Sequence, residues 1–413
     1  MFKPEIIQEA LFILESAVTD GGIVASAIDR DNYCRVWARD AIMAGITGIL
    51  LKNPKLVSGL ETSVLNLAEN QGAAGQIPSN IKLENGKTTE ISYGGLAGRV
   101  DATTWWVIGA AILCNNTQNE ALSLQLKPHV EKAFAIMEAW EFNARGLMYV
   151  PLGGNWADEY VVHGYTLYDQ LLRLWAWRAA SQVWHMPEWA TRADRLGESI
   201  RTNYSSGAHP EHSSIYHPRA WHSLQTDNTA LPPWKCQLNP NGYDGRWDMA
   251  AHAFVLLLGL EKNPQRIGQF VSDLADETGS WLLPAFYPVI QKNDPDWALL
   301  ANNYSYQFKN EPYHFHNGGC WFIFMGWLSF AMASNGLKSE TNQICESMNT
   351  ALVAEQALDL HFHEYWSGDL HQPGGTPKLC FTAAGTLLAH LATGYQVDYL
   401  SKLCLNERPA IHS

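Results

Sequence analysis

The chain has 413 residues, 46% of them hydrophobic and 17% charged, which supplies a large core and excludes a disordered chain. A formal net charge of −13, from 28 basic and 41 acidic residues with no Lys/Arg cluster, repels phosphate backbones and argues against nucleic acid as a partner. No apolar run approaches the roughly 20 residues that span a bilayer, and the start, MFKPEIIQEALFILESAV, lacks an uninterrupted apolar stretch and a small-residue cleavage site.

An apolar period of about 3.6 residues predicts helices, in chain order, over 4–18, 38–52, 56–70, 101–115, 124–141, 165–184, 187–205, 246–260, 263–276, 317–335, 339–358 and 376–396. Convincing strand patterns are almost absent. No charged or Ser/Gly-rich linker interrupts the series, so one domain over residues 1–413 is expected. The helices fall into six pairs joined by short links, such as Lys52 to Leu56 and Leu260 to Asn263. The links between pairs are long and hold most of the Gly, Asn and Trp. Six short links alternating with long ones predict six helical hairpins in a ring, an all-α (α/α)6 barrel with one plain face and one elaborated face. No internal repeat accompanies the pattern, and an irregular helical bundle or solenoid satisfies it as well.

The even-numbered helices are the more apolar. AAHAFVLLLGL (250–260) and CWFIFMGWLSFAMA (320–333) are apolar nearly all round, as an inner ring requires, whereas 124–141 and 187–205 carry charge on one side, as an outer ring does. Each long loop would therefore feed the N-terminus of an inner helix at one mouth of the barrel. Seven cysteines, odd in number, spread and without a CxxC pair, point to reduced thiols and a cytoplasmic protein. The 17 Trp and 16 Tyr are more than a core of this size needs. Their flat apolar faces and polar edges suit a sugar ring, the alternative being a barrel that buries large side chains.

The six stretches leading into the inner helices are RVWARD (35–40), GRVDATTWW (98–106), NWADEYVVHGY (155–165), GYDGRWD (242–248), FHNGGCW (315–321) and HEYWSGDLHQPGGTP (363–377). Any one could be a helix cap; six on one face make a pocket. Two of them hold carboxylates among aromatics: Asp158 and Glu159 follow Trp156, and Glu364 precedes Tyr365 and Trp366. Glycosidic cleavage needs a protonated acid at the leaving oxygen and an ionised carboxylate that activates water or attacks the sugar. An aromatic wall helps keep one carboxyl protonated near neutrality. These residues by themselves do not choose between Asp158 and Glu159.

The same stretches resemble the six-hairpin α-glycosidases, which include alkaline/neutral invertases, glucoamylases and amylo-α-1,6-glucosidases. GRVDATTWW, FHNGGCW and HEYWSG (363–368) are most similar to the invertases, and the resemblance runs from about residue 35 to about residue 390. It implies Asp158 as general acid and Glu364 as the base that activates water, with inversion at the anomeric carbon. Arg39 and Asp40 would hold sugar hydroxyls in the first subsite, which Asp101, Trp106, His316 and Asn317 would also line. Trp37, Trp156, Glu159 and Trp366 are expected around the same pocket. Glucoamylases carry Glu directly after the Trp, which keeps Glu159 as the other candidate acid. HQPGGTP (371–377) departs from the basic segment that follows the base in invertases, which bears on sucrose as the substrate.

Two His-Phe-His triplets, His314–His316 and His361–His363, raise a metal site, which would need an extended backbone and three or four rigid ligands. Bonding to sugar hydroxyls explains these histidines without a metal, and no metal or cofactor is expected. The expected partner is a small carbohydrate, a disaccharide or short oligosaccharide; an oligomer is compatible with the sequence. A sugar isomerase or 2-epimerase on the same barrel, using paired histidines, is the main alternative. A sugar-binding scaffold and a phosphorylase are the others, although Arg35, Arg39, Arg99 and Arg246 do not obviously supply the anion site of a phosphorylase.

Overall fold

The computed structural model describes residues 1–28, 30–206, 215–226, 232–357 and 361–405. Its helices are α1 (Pro4–Ser16), α2 (Ala38–Leu51), α3 (Pro54–Glu69), α4 (Val100–Thr117), α5 (Glu120–Ala139), α6 (Leu167–Trp184), α7 (Pro187–Tyr204), α8 (Pro218–Thr226), α9 (Met249–Leu257), α10 (Gln265–Thr278), α11 (Trp297–Asn302), α12 (Phe322–Ser334), α13 (Lys338–Gln356), α14 (Cys380–Thr393) and α15 (Asp398–Lys402). The twelve expected helices are present, and the shifts at their ends follow local chemistry. Asn53 accepts hydrogen bonds from the Lys55 and Leu56 amides and Pro54 opens α3, so that helix starts before its apolar pattern does. The expected end of α13 at 358 lies outside the described residues. α8 and α11 are short and lie within long connections, where strands of two to six residues also occur, and the short α15 lies in the segment after α14. Segments this short carry no readable period.

Six helices close a ring: α2 packs on α4, α4 on α6, α6 on α9, α9 on α12, α12 on α14, and α14 returns to α2. Around them, α3 lies on α2, α5 on α4, α7 on α6 and α13 on α12. Five inner helices run directly into an outer one. The sixth pair differs from the expected pattern: α14 is covered by α1, from the other end of the chain. There are thus five short links rather than six, because the ring is closed by packing between the two ends. Among the described residues no helix is long and apolar enough to cross a membrane.

The axis of the ring is filled by rings from four successive inner helices. Trp105, Trp175, Phe254 and Trp327 meet at centroid distances of 5.7–6.4 Å. At the plain end the C-terminal segment plugs the barrel. The Trp175 indole donates to Leu403 O at 3.0 Å, and Asn116 Nδ2 donates to Lys402 O at 2.8 Å. Much of the Trp content thus serves packing: Trp105, Trp106, Trp175, Trp177, Trp234, Trp247, Trp327 and Trp366 are all fully buried.

α12 and α14 approach closely enough that only glycine fits between them. A Cβ on Gly326 would stand 2.2 Å from Gly385 O, and one on Gly385 would stand 2.0 Å from Phe322 O. Gly385→Ala should therefore cost about 2–3 kcal/mol despite alanine's better helix propensity, since backbone must move to admit the methyl. Urea unfolding checks this, and an unchanged midpoint would refute the contact.

Candidate active site

All six inner helices begin after a residue in extended conformation, namely Trp37, Arg99, Thr166, Asp248, Trp321 and Leu379. The long loops therefore enter at one mouth with their side chains turned inward. The first turns of α2, α4 and α6 carry Asp40, Asp101 and Asp169, where the positive helix end favours a carboxylate. Arg39 Nη1 donates to Asp101 Oδ2 at 3.1 Å, and its Nη2 lies 3.8 Å from Asp40 Oδ2. Arg39 Nε, Asp40 Oδ2 and Asp101 Oδ1 are buried without a hydrogen-bond partner among the described residues. This is a paired cluster with donor and acceptor capacity left over, as recognition of hydroxyls requires. Burial pushes the Asp40 carboxyl up to about 7 against the opposing pull of Arg39, and Asp101 is raised for the same reason.

Asp158 enters from the loop before α6. Its Oδ2 accepts from Arg99 Nη2 at 2.8 Å, while the other guanidinium nitrogen of Arg99 is held by the carbonyls of Ala97 and Gly153. Among the described residues Oδ1 has no hydrogen-bond partner, and about a quarter (27%) of the side chain is exposed. Asp169 anchors this loop from below: its Oδ2 accepts from Asn155 Nδ2 at 3.2 Å, and Asn155 Oδ1 accepts from the Ala157 amide. The charge of Asp158 is felt at Arg39, Asp101, His316 and Glu364, so these groups share one cup. Glu159, next to Asp158 in the chain, is held by a different segment. Its Oε1 accepts from the Ser305 amide at 3.2 Å, and burial raises its carboxyl.

Glu364 comes from the opposite side, before α14. Oε1 accepts from the Tyr33 hydroxyl at 2.8 Å and Oε2 from the Thr376 amide at 3.3 Å. Burial raises its carboxyl, while Lys309, Tyr33 and Thr376 act in the other direction. The HQPGGTP stretch explains the fit. Gly375 has φ +79° and lies so close that a Cβ there would stand 2.3 Å from Glu364 Oε2. The wall between the two carboxylates is aromatic: Trp156 stacks on Phe286 at 5.7 Å and meets His316 edge-on at 5.1 Å, and His316 stacks on Trp321 at 5.2 Å. The His316 ring is held neutral, its pKa pushed down to about 3 by burial. Trp156 Nε1 and His316 Nδ1 are buried without partners among the described residues.

The remaining expected residues are placed otherwise. Trp106 faces the outer ring, where its indole donates to Val64 O at 3.0 Å, so it does not reach the cup. Asn317 is spent on backbone: it accepts from the Ile290 amide and donates to the Ile290 and Asn310 carbonyls. Trp366 is buried flat against Phe322 at 4.0 Å. Trp37 is half-buried and donates to Asn32 O at 2.9 Å. The outer histidines disperse, with His361 Nδ1 2.5 Å from Glu9 Oε1 and His363 Nδ1 2.6 Å from Glu355 Oε1. The central Phe315 and Phe362 have positive φ rather than the extended backbone a shared ligand face needs. Among the described residues no group of three or more His, Cys, Asp or Glu could hold a metal ion.

Five residues of the site escaped the sequence reading. Tyr33, Lys309 and Asn310 sit in loops without pattern, and Thr376 lies within the singled-out stretch 363–377 without being named there. Asp169, a lone carboxylate in the apolar run TLYDQLL, was the one with a visible signal.

The raised pKa of Asp40 sets a stability trend. Between pH about 4 and 7 the unfolded chain has released a proton that the folded chain retains, so this group's contribution falls as pH rises. Asp40→Asn should therefore stabilise the fold by roughly 2–4 kcal/mol at pH 8 and far less at pH 4. Urea titrations at both pH values test this; an equal effect at both would contradict the buried carboxyl.

No protein-family model and no curated protein sequence matches the chain. Solved structures do resemble it. Mannosylglycerate hydrolase from Thermus thermophilus, in complex with Tris and D-glycerate, superposes with a TM-score of 0.60 at 12% identity over 93% of this chain and 99% of that one. A bacterial glucoamylase complexed with acarbose gives 0.61 at 12% over 97% and 57% of the two chains. A rhamnosidase from Klebsiella oxytoca with rhamnose bound gives 0.59 at 12% over 95% and 63%. The chain therefore has the (α/α)6-barrel fold that these glycosidases share.

Proposed function

We propose that the chain is an inverting glycoside hydrolase for a small α-glucoside or sucrose, with Asp158 as general acid and Glu364 as general base. What supports this reading is the pair itself: Asp158 enters before α6 and Glu364 before α14, on opposite sides of the ring, and the charge of Asp158 adds to the rise of the Glu364 carboxyl. The fold likeness adds support, since the solved structures named above are glycosidases by name. Asp158 is preferred to Glu159 because its side chain is partly exposed with Oδ1 unpaired among the described residues, whereas Glu159 Oε1 is tied to the Ser305 amide and its Oε2 is buried.

In this mechanism Asp158 Oδ1 gives its proton to the glycosidic oxygen as the bond to the anomeric carbon breaks. A water on the opposite face gives a proton to Glu364 and its oxygen to that carbon, which inverts it. Tyr33 and Thr376 orient Glu364 and favour its ionised form. Arg39, Asp40 and Asp101 grip the hydroxyls of the sugar being transferred, and Trp156 covers its apolar face. Hydrolysis is favoured over phosphorolysis because Arg35, Arg39, Arg99 and Arg246 are each paired with a carboxylate. Isomerisation would call for paired histidines in the cup. Among the described residues His316 is the histidine there, and it is buried and neutral.

Sucrose, trehalose, maltose, isomaltose and glucosylglycerate, assayed for released sugar, form the substrate panel. On the substrate that is cleaved, Asp158→Asn and Glu364→Gln should each lower kcat by about 10²–10⁴-fold with unfolding unchanged. Proton NMR during the first turnover should show the inverted anomer. Retention of configuration would remove the water-activating role of Glu364, and full activity in Asp158→Asn would remove the acid.

A further inference from the structure

The stretch GYDGRWD leads into α9 like the other five, yet its polar side chains turn to a second pocket of about 390 Å³ beside the cup. That volume lies in the range of small-ligand sites, roughly 300–1,000 Å³. Arg246 is clamped there between two carboxylates, donating to Asp244 Oδ2 at 2.6 Å and to Asp296 Oδ2. Two acids around one guanidinium leave the wall negative, which disfavours an anion. The Tyr243 hydroxyl is buried with no hydrogen-bond partner among the described residues. His163 and Asn241 supply further polar groups, and Val161 and Leu299 supply apolar edges. Polar groups that can both donate and accept, beside apolar carbon, match a neutral polyhydroxylated ring.

Two segments connect the outer pocket to the loop that carries Asp158. In the first, Asp158 and Glu159 are followed by Val161 and His163, so the Cα atoms of Asp158 and Val161 are at most about 11 Å apart. In the second, Asp296 and Leu299 line the outer pocket, while Asn303 donates to Tyr160 O at 3.0 Å and the Ser305 amide binds Glu159. The outer pocket thus borders the loop that carries Asp158.

We infer that this pocket is an outer carbohydrate subsite, holding a neutral sugar unit of the leaving group beyond the one that Asp158 protonates. The inference rests on the glycosidase reading and on Asp158 as the acid. It follows that a trisaccharide extended at the leaving-group end is a better substrate than the corresponding disaccharide.

The test compares sucrose with 1-kestose, maltose with maltotriose and isomaltose with isomaltotriose, in wild type and in Tyr243→Phe and the rim variant Leu299→Asp. For the linkage that is cleaved, the trisaccharide should show about tenfold higher kcat/KM, expressed in KM, and both variants should erase that gain without altering turnover of the disaccharide. Equal constants for the two lengths, or variants that impair both lengths alike, overturn the subsite while leaving the glycosidase reading intact. Failure to cleave any member of the three pairs sinks that reading and the subsite with it.

Discussion

A ring of six helices leaves an axial space that water cannot fill cheaply, and most of the structure depends on closing it with aromatic rings. Trp105, Trp175, Phe254 and Trp327 do so, and the Trp105 indole donates to the Tyr168 hydroxyl at 2.9 Å, which starts the polar layer above them. The plug therefore forms the floor of the cup. A dense apolar floor lowers the local dielectric, so every charge placed on it is strongly felt by its neighbours and costly to leave unpaired.

That cost is visible in the carboxyls. Asp40, Asp101, Asp169 and Glu364 are all raised, and in each case burial is the largest cause. A fold selected for stability alone would place apolar side chains at these positions. Clustered, strained ionisation at one mouth of an otherwise well-packed barrel is the pattern of a site that trades stability for chemistry. Paired cations hold the arrangement together: Arg39 serves Asp101 and Asp40, and Arg99 serves Asp158.

The six loops are unequal in use. RVWARD, GRVDATTWW, NWADEY, FHNGGCW and HEYWSG each send at least one side chain to the cup or its wall. GYDGRWD caps α9 through Asp248, which accepts from the Ala251 amide at 3.0 Å, and gives the rest of its polar groups to the neighbouring pocket. Cross-links between loops fix their spacing. Asn310 donates to Glu159 O and accepts from the His316 and Asn317 amides, so the loop of Asp158 and Glu159 is tied to the FHNGG turn.

Much of this was legible in advance. Helix periods, the apolar inner helices and the loaded loops depend on local pattern, and local pattern marked the helices, the inner set and the stretches that lead into it, while a bundle or solenoid remained compatible until the ring contacts closed the barrel. The sequence by itself also placed Asp158 and Glu364 in aromatic surroundings. Only the tertiary structure decided that Trp106 turns outward to Val64, that Asn317 is consumed by backbone, and that Tyr33, far off in the chain, supports Glu364. It decided likewise that the sixth pair joins the two ends of the chain, α1 on α14. The physical reason is common to all of these: a side chain on a helix buried all round has no polar side to mark its direction. A residue in an irregular loop has no period at all, so its partner is set by how distant segments meet.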